Sequence, residues 1–168
     1  MRSTRRGHEP LRNGGHVPSR ALHIAVDGRE LMGRPTGVGR YLLAVLRTWR
    51  DDATFGHQLT LVLPADPPPD VVALAPRIQV HVEPARNAGT LWEQRRLPKA
   101  VRAVGADVLF AAGYTAPLWA GVPTVVAIYD VSFFAHPEGF GPREGLRRRW
   151  FTRRAARRAR TIITISTF

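Results

Sequence analysis

The sequence contains no cysteine. That excludes a disulfide framework and any thiolate metal site, and it leaves a reducing cytoplasm as the natural compartment. Lysine is almost absent. Lys99 is the single one among 25 basic residues, so the other 24 are arginines. Acidic side chains number only 13, which sets the formal net charge at +12. No uninterrupted apolar run approaches the roughly 20 residues of a membrane-spanning helix. Several catalytic signatures are missing too. There is no Gly-Lys-Ser/Thr phosphate loop, no Gly-x-Ser-x-Gly elbow and no His-Glu-x-x-His, and the six histidines (His8, His16, His23, His57, His81, His136) have no metal-ligand spacing. Hydrolase and metalloenzyme chemistry therefore lack support, and neither a metal nor a cofactor is expected.

What is present suits one α/β domain. Residues 1–20 carry Arg2, Arg5, Arg6, Arg12 and Arg20 among glycines and prolines. They lack the apolar centre of a secretory signal and read as a disordered basic lead-in. From residue 21 to 168, strand and helix patterns alternate. Leu22 to Asp27, Gln58 to Leu63, Ile78 to Val82, Asp107 to Ala112, Thr124 to Ile128 and Thr161 to Ile165 read as strands. Helical spacing runs from about Val38 to Arg50, from Leu91 to Val104 with Pro98 expected to kink or split it, and from Arg143 to Arg160. A short helical or irregular segment follows Pro67-Pro68-Pro69 and runs through Leu74. The fourth and fifth strands are apolar on both faces, as interior strands of a parallel sheet are. The expected fold is a doubly wound, mainly parallel Rossmann-like sheet flanked by helices. Ligands of such sheets sit beyond the carboxyl ends of the strands, which directs attention to the loops after Asp27, Ala112, Ile128 and Ile165.

Each of those loops supports two readings. Gly37 and Gly39 stand where loop becomes helix, either as a tight turn or as a place where backbone N–H groups approach an anion. They do not complete a dinucleotide fingerprint, because the third glycine of that pattern would fall at Leu42. Tyr114 and Thr115 can hydrogen-bond a sugar or simply pack a loop. Asp130 can orient a hydroxyl or cap a turn. The last helix holds many arginines against one acid, Glu144, with Leu146, Trp150, Phe151, Ala155 and Ala159 as an apolar stripe. A solvated face is the first reading, contact with an anionic membrane the second, and nucleic acid a distant third, because no recognition motif accompanies the charge.

Four segments in order resemble the N-terminal domain of family 4 glycosyltransferases, enzymes of the GT-B fold. Gly37-Val38-Gly39-Arg40-Tyr41 is similar to the family's Gly-Ile/Val-Gly-Arg-Tyr loop. Leu91-Trp92-Glu93-Gln94-Arg95-Arg96-Leu97-Pro98 resembles its Trp-Glu-Gln-x-x-Leu-Pro helix. Pro123 to Phe133 resembles its Pro-x-Val-x-x-Ile-His-Asp-Leu-Ser-Phe strand and turn, and Ala159 to Ser166 its closing strand. The resemblance implies a retaining transfer of a sugar from a nucleotide-sugar to a glycan or lipid-linked acceptor hydroxyl, without a metal, by a cytoplasmic enzyme. It implies that Gly37 and Gly39 approach the donor diphosphate. Tyr129, standing where the family has histidine, and Asp130 would take the catalytic positions. Arg40, Tyr114, Thr115 and Ser166 would line the cleft or meet the acceptor. The family's donor pocket and Glu-x7-Glu segment belong to a C-terminal domain beyond Phe168, so the 168 residues by themselves are expected to be inactive. Two other functions remain open on the residues alone: a non-catalytic module that binds carbohydrate or a membrane surface, and a nucleotide-binding α/β domain of another kind.

Overall fold

A computed structural model describes residues 20–33, 36–135 and 141–165. Six parallel strands form one sheet: β1 (His23–Asp27), β2 (Gln58–Leu63), β3 (Ile78–Val82), β4 (Val108–Ala111), β5 (Thr124–Ala127) and β6 (Thr161–Ile163). Their order is β3-β2-β1-β4-β5-β6, the doubly wound arrangement. The chain moves outward from β1 to β3, returns to the centre and moves outward again from β4 to β6. The direction reverses between β1 and β4, which pair with Asp27 opposite Ala111. A crevice opens at that reversal because the two connections leave on opposite faces of the sheet.

One face is covered by α1 (Gly37–Asp51), whose Leu42 and Leu46 are buried against Val26, Leu61, Leu63 and Phe110. The short α2 (Pro69–Val72) joins that cluster through Val71. The opposite face meets α3 (Leu97–Ala103), where Leu97, Ala100 and Val101 pack on Ala25, Val62 and Leu109. Further along the same face, Ala155 of α5 (Pro142–Arg158) packs on Ala111 and Val126. Between β5 and α5 lies the single-turn helix α4 (Ser132–Ala135), within the connection that follows Ile128. β4 and β5 each have a strand on both sides, which matches their uninterrupted apolar runs.

The expected helix from Leu91 to Val104 is divided beside Pro98. Trp92–Arg96 forms a wide π-type turn, closed by the Leu97 N–H donating to the Trp92 carbonyl, and α3 starts after it. Pro98 therefore sits in the first turn of α3, where its missing N–H has no intrahelical partner to lose. The last strand ends at Ile163 rather than Ile165. Of the expected lead-in, only Arg20 is described, and it pairs with Asp107 at 3.0 Å.

Candidate active-site cleft

Parallel strands bring all their carboxyl ends to one edge of the sheet, and a cleft of 770 Å³ opens there. That volume suits a ligand of sugar or nucleotide-sugar size. After β1, a turn of 3₁₀-helix over Arg29–Leu31 supplies Arg29 and Glu30. The start of α1 supplies Gly37 and Tyr41. The segment before the π turn supplies Thr90, with Glu93 from the turn itself. The loop after β4 supplies Gly113, Tyr114 and Thr115, the end of β5 supplies Tyr129, and α5 closes the wall with Arg147, Arg148 and Phe151.

The floor is an ion triad. The Asp27 and Glu93 carboxylates are almost fully buried, and Arg29 lies between them, its Nη2 at 2.7 Å from Asp27 Oδ2 and 3.2 Å from Glu93 Oε1. Arg29 Cζ also lies 5.6 Å from the centre of the Trp92 ring. Burial works against the Arg29 charge, but the two carboxylates outweigh it and hold the guanidinium more firmly protonated than usual. For Glu93 burial dominates and raises its pKa, with Arg29 and a hydrogen bond with Thr115 pulling the other way. Three charges held this closely fix the position of the β1 loop against the π turn.

The loop after β4 is held in an uncommon conformation. Tyr114 has φ +64°, and the Thr115 N–H donates to the Gly113 carbonyl at 2.7 Å. That is the pattern of the rarer, strained form of γ-turn. The Tyr114 N–H is tied to the Ala127 carbonyl at 3.1 Å. Gln94 clamps the other end of the loop twice, donating from Nε2 to the Ala116 carbonyl (3.2 Å) and accepting at Oε1 from the Leu118 N–H (2.9 Å). The Trp92 indole anchors the same turn by donating to the Glu83 carbonyl at 2.8 Å. The Trp-Glu-Gln segment thus holds three things in place at once: the core, the ion triad and the Tyr114 loop.

The strain at Tyr114 aims its hydroxyl at Asp130, donating to Oδ2 at 3.0 Å. Burial and this hydrogen bond push the Tyr114 hydroxyl up to about 12, so it stays protonated and donating at neutral pH. The Tyr129 ring stands edge-on to both Tyr41 (5.1 Å) and Tyr114 (5.5 Å). Its hydroxyl is buried yet makes no hydrogen bond among the described residues, and burial raises its pKa. A buried hydroxyl with no protein partner on a cleft wall can donate to a bound ligand.

The residues expected from the sequence separate into groups. Gly37, Tyr114, Thr115 and Tyr129 line the cleft, and Asp130 sits at its rim through Tyr114. Gly39 does not line it. It is buried, and its N–H donates to Thr36 Oγ1 at 2.9 Å as the cap of α1. A Cβ at Gly39 would lie 2.3 Å from the Glu30 carbonyl oxygen, so this glycine lets α1 close on the 3₁₀ turn. Arg40 is exposed and outside the lining, on the next position of the helix. Ser166 lies outside the described residues. The sequence reading did not single out Arg29, Glu30, Glu93, Thr90, Arg147 or Arg148 as cleft residues. Glu93 was visible only as a letter of the Trp-Glu-Gln segment, and the two arginines only as part of a basic helix. Among the described residues, no cluster of three His, Asp or Glu side chains is placed to hold a metal ion, and no helix is long and apolar enough to cross a membrane.

Fold and site together define a doubly wound α/β domain whose ligand cleft lies at the reversal of strand order. The chain belongs to glycosyltransferase family 4, whose model matches residues 35–168. No curated protein matches it. Among solved structures it is similar to Anabaena HepE, determined in complex with UDP and glucose, with a TM-score of 0.53 and 23% identity. The match covers 84% of this chain and 37% of the HepE chain, so the described domain corresponds to little more than a third of that protein.

Proposed function

We propose that this chain is the acceptor-side domain of a cytoplasmic, retaining glycosyltransferase of the hexosyl or mannosyl kind. It serves the transfer of a sugar from a nucleotide-sugar to an acceptor hydroxyl. Family membership supports the reaction class. The observation that carries the reading is the hydroxyl–carboxylate pair of Tyr114 and Asp130 beside the unsatisfied Tyr129 hydroxyl, all at the carboxyl edge of the sheet. Tyr129 takes the position of the family's histidine. Its hydroxyl donates to a hydroxyl of the transferred sugar, and Asp130, its carboxylate fixed by Tyr114, accepts from the acceptor. The UDP in the HepE structure supports a nucleotide-sugar donor. Here Gly37, at the first turn of α1, is the group placed to let a phosphate approach the helix N-terminus.

The test is sugar transfer by the full-length protein that carries this domain, with labelled nucleotide-sugars and a panel of glycan and lipid-linked acceptors. Asp130→Asn should lower kcat by about 10²-fold or more if its carboxylate orients the acceptor. Tyr114→Phe should lower it less, since it removes one hydrogen bond to the Asp130 carboxylate and leaves the carboxylate itself in place. Unchanged turnover in Asp130→Asn would exclude the assigned role.

A further inference from the structure

We propose that the outward face of α5, together with Trp119 beside it, docks on an anionic lipid bilayer. The inward side of this helix is committed: Thr152 and Ala155 are buried and Phe151 lines the cleft. The outward side is not. Leu146, Arg149, Trp150, Arg153, Arg154 and Arg157 border a shallow groove along it. Leu146 is 64% exposed and Trp150 43%, and the loop residue Trp119 is 72% exposed. Arg154 Cζ lies 5.0 Å from the centre of the Trp150 ring, and Arg158 Cζ 4.6 Å from that of Trp119. Trp150, Arg154 and Arg158 follow one another at four-residue spacing, so the two tryptophans end a single stripe on the helix surface. From Leu146 to Arg158 the helix rises about 18 Å.

Two properties of this stripe point to one partner. Its arginines, Arg149, Arg153, Arg154, Arg157 and Arg158, have no ion-pair partner among the described residues. They call for an extended negative surface, not a single counter-charge. Interleaved with them are exposed large apolar side chains, two of them indoles, the side chain that settles best at the boundary between headgroups and acyl chains. A helix with arginines around exposed Trp and Leu, lying along the surface of its domain, has the composition of an interfacial helix. Duplex nucleic acid would meet the charge but leave Leu146 and Trp150 without apolar cover. The same helix carries Arg147 and Arg148 into the cleft. On the proposed glycosyltransferase reading, docking through α5 sets that cleft beside the bilayer and favours a lipid-linked acceptor. Docking itself does not depend on that reading.

The experiment is co-sedimentation of the purified chain with phosphatidylcholine vesicles, with and without phosphatidylglycerol, at about 0.1 M salt, where surface charge still acts over about 10 Å. Pelleting is expected with the anionic vesicles only, with a blue shift of tryptophan emission. The pair Trp119→Ala and Trp150→Ala should weaken binding and remove the shift. The pair Arg153→Gln and Arg157→Gln should weaken binding about tenfold or more, and it keeps the test informative if the tryptophan pair fails to fold by circular dichroism. Four outcomes overturn the proposal: no pelleting with anionic vesicles, pelleting that both variant pairs leave unchanged, binding to an oligonucleotide without binding to vesicles, or self-association through Trp150 without vesicle binding. Failure of docking alongside intact sugar transfer by the full-length protein would reject this surface and leave the glycosyltransferase reading standing.

Discussion

Gly37 and Gly39 are two residues apart and play different parts. A Cβ at Gly37 meets nothing within 4 Å, whereas one at Gly39 meets a backbone oxygen that cannot swing away. Gly39→Ala should therefore destabilise the domain by about 1–3 kcal/mol through overpacking, read as a lowered urea midpoint. Gly37→Ala should leave that midpoint nearly unchanged. If Gly37 admits the donor phosphates, the same substitution should raise the nucleotide-sugar KM of the full-length protein. Equal midpoints for the two variants would contradict the packing assigned to Gly39. The ion triad gives a second prediction at this scale. Removing the guanidinium in Arg29→Met leaves two buried carboxylates facing each other, a loss of about 3–5 kcal/mol near neutral pH. Because burial raises the folded-state pKa of Glu93, its contribution to stability is fully present below its ordinary value of 4.5 and is lost as pH rises through the raised one. Without Arg29 that upward shift grows, so the deficit of Arg29→Met should shrink from about pH 7.5 to about pH 5. Urea midpoints at the two pH values check it, and a deficit independent of pH would contradict the buried-charge account. Glu93→Gln, which keeps the Asp27–Arg29 pair, should cost less than Arg29→Met.

Among the elements, the π turn has the largest reach. It places Trp92 in the core, Glu93 under the cleft and Gln94 on the loop that carries Tyr114. Gln94→Ala removes two hydrogen bonds and leaves the Leu118 N–H short of a partner, for a loss of about 1–3 kcal/mol. Its effect on turnover should exceed what that loss explains, since the released loop no longer holds the Tyr114 hydroxyl on Asp130. Tyr114 fluorescence is hidden by the tryptophans, so amide hydrogen exchange over residues 113–118 is the measurement. Unchanged protection there would rule out the clamp. This element also marks where the sequence stopped being readable. Strand limits such as Gln58–Leu63 and Ile78–Val82 follow from apolar runs bounded by turn residues, and the structure has them at the same positions. The π turn has no such signal, because its register depends on where the Trp92 indole finds the Glu83 carbonyl, in a separate segment of the chain. The contact of Glu93 with the Asp27–Arg29 pair is equally silent in the sequence, since Glu93 lies far along the chain from that pair and reaches it only through a sheet that must form first. Tyr114 and Thr115 were legible because their position at a strand's carboxyl end follows from topology, and Tyr129 because its strand resembles a family motif. Arg147 and Arg148 were not, because a basic helix does not announce which of its arginines turns inward.

For the whole molecule, the cleft is bounded by one sheet edge and one helix wall. The described domain matches only 37% of the HepE chain. On the proposed acceptor-side reading, this wall holds the acceptor and the donor is gripped from the other side. On that reading the 168-residue chain alone should show no detectable sugar transfer with any nucleotide-sugar tested, while the same chain joined to a donor-binding domain should. Transfer by the isolated chain would overturn that division of labour. One consequence of the parallel sheet concerns how such a protein changes over generations. Most cleft residues hang on connections beyond the strand ends, outside the ladder of backbone hydrogen bonds. Mutations at Thr90 can retune what the cleft accepts with little disturbance to the sheet. Arg29 and Glu93 have no such freedom, because each serves the cleft and the scaffold together. Drift should therefore be faster at Thr90 than in the triad beneath it.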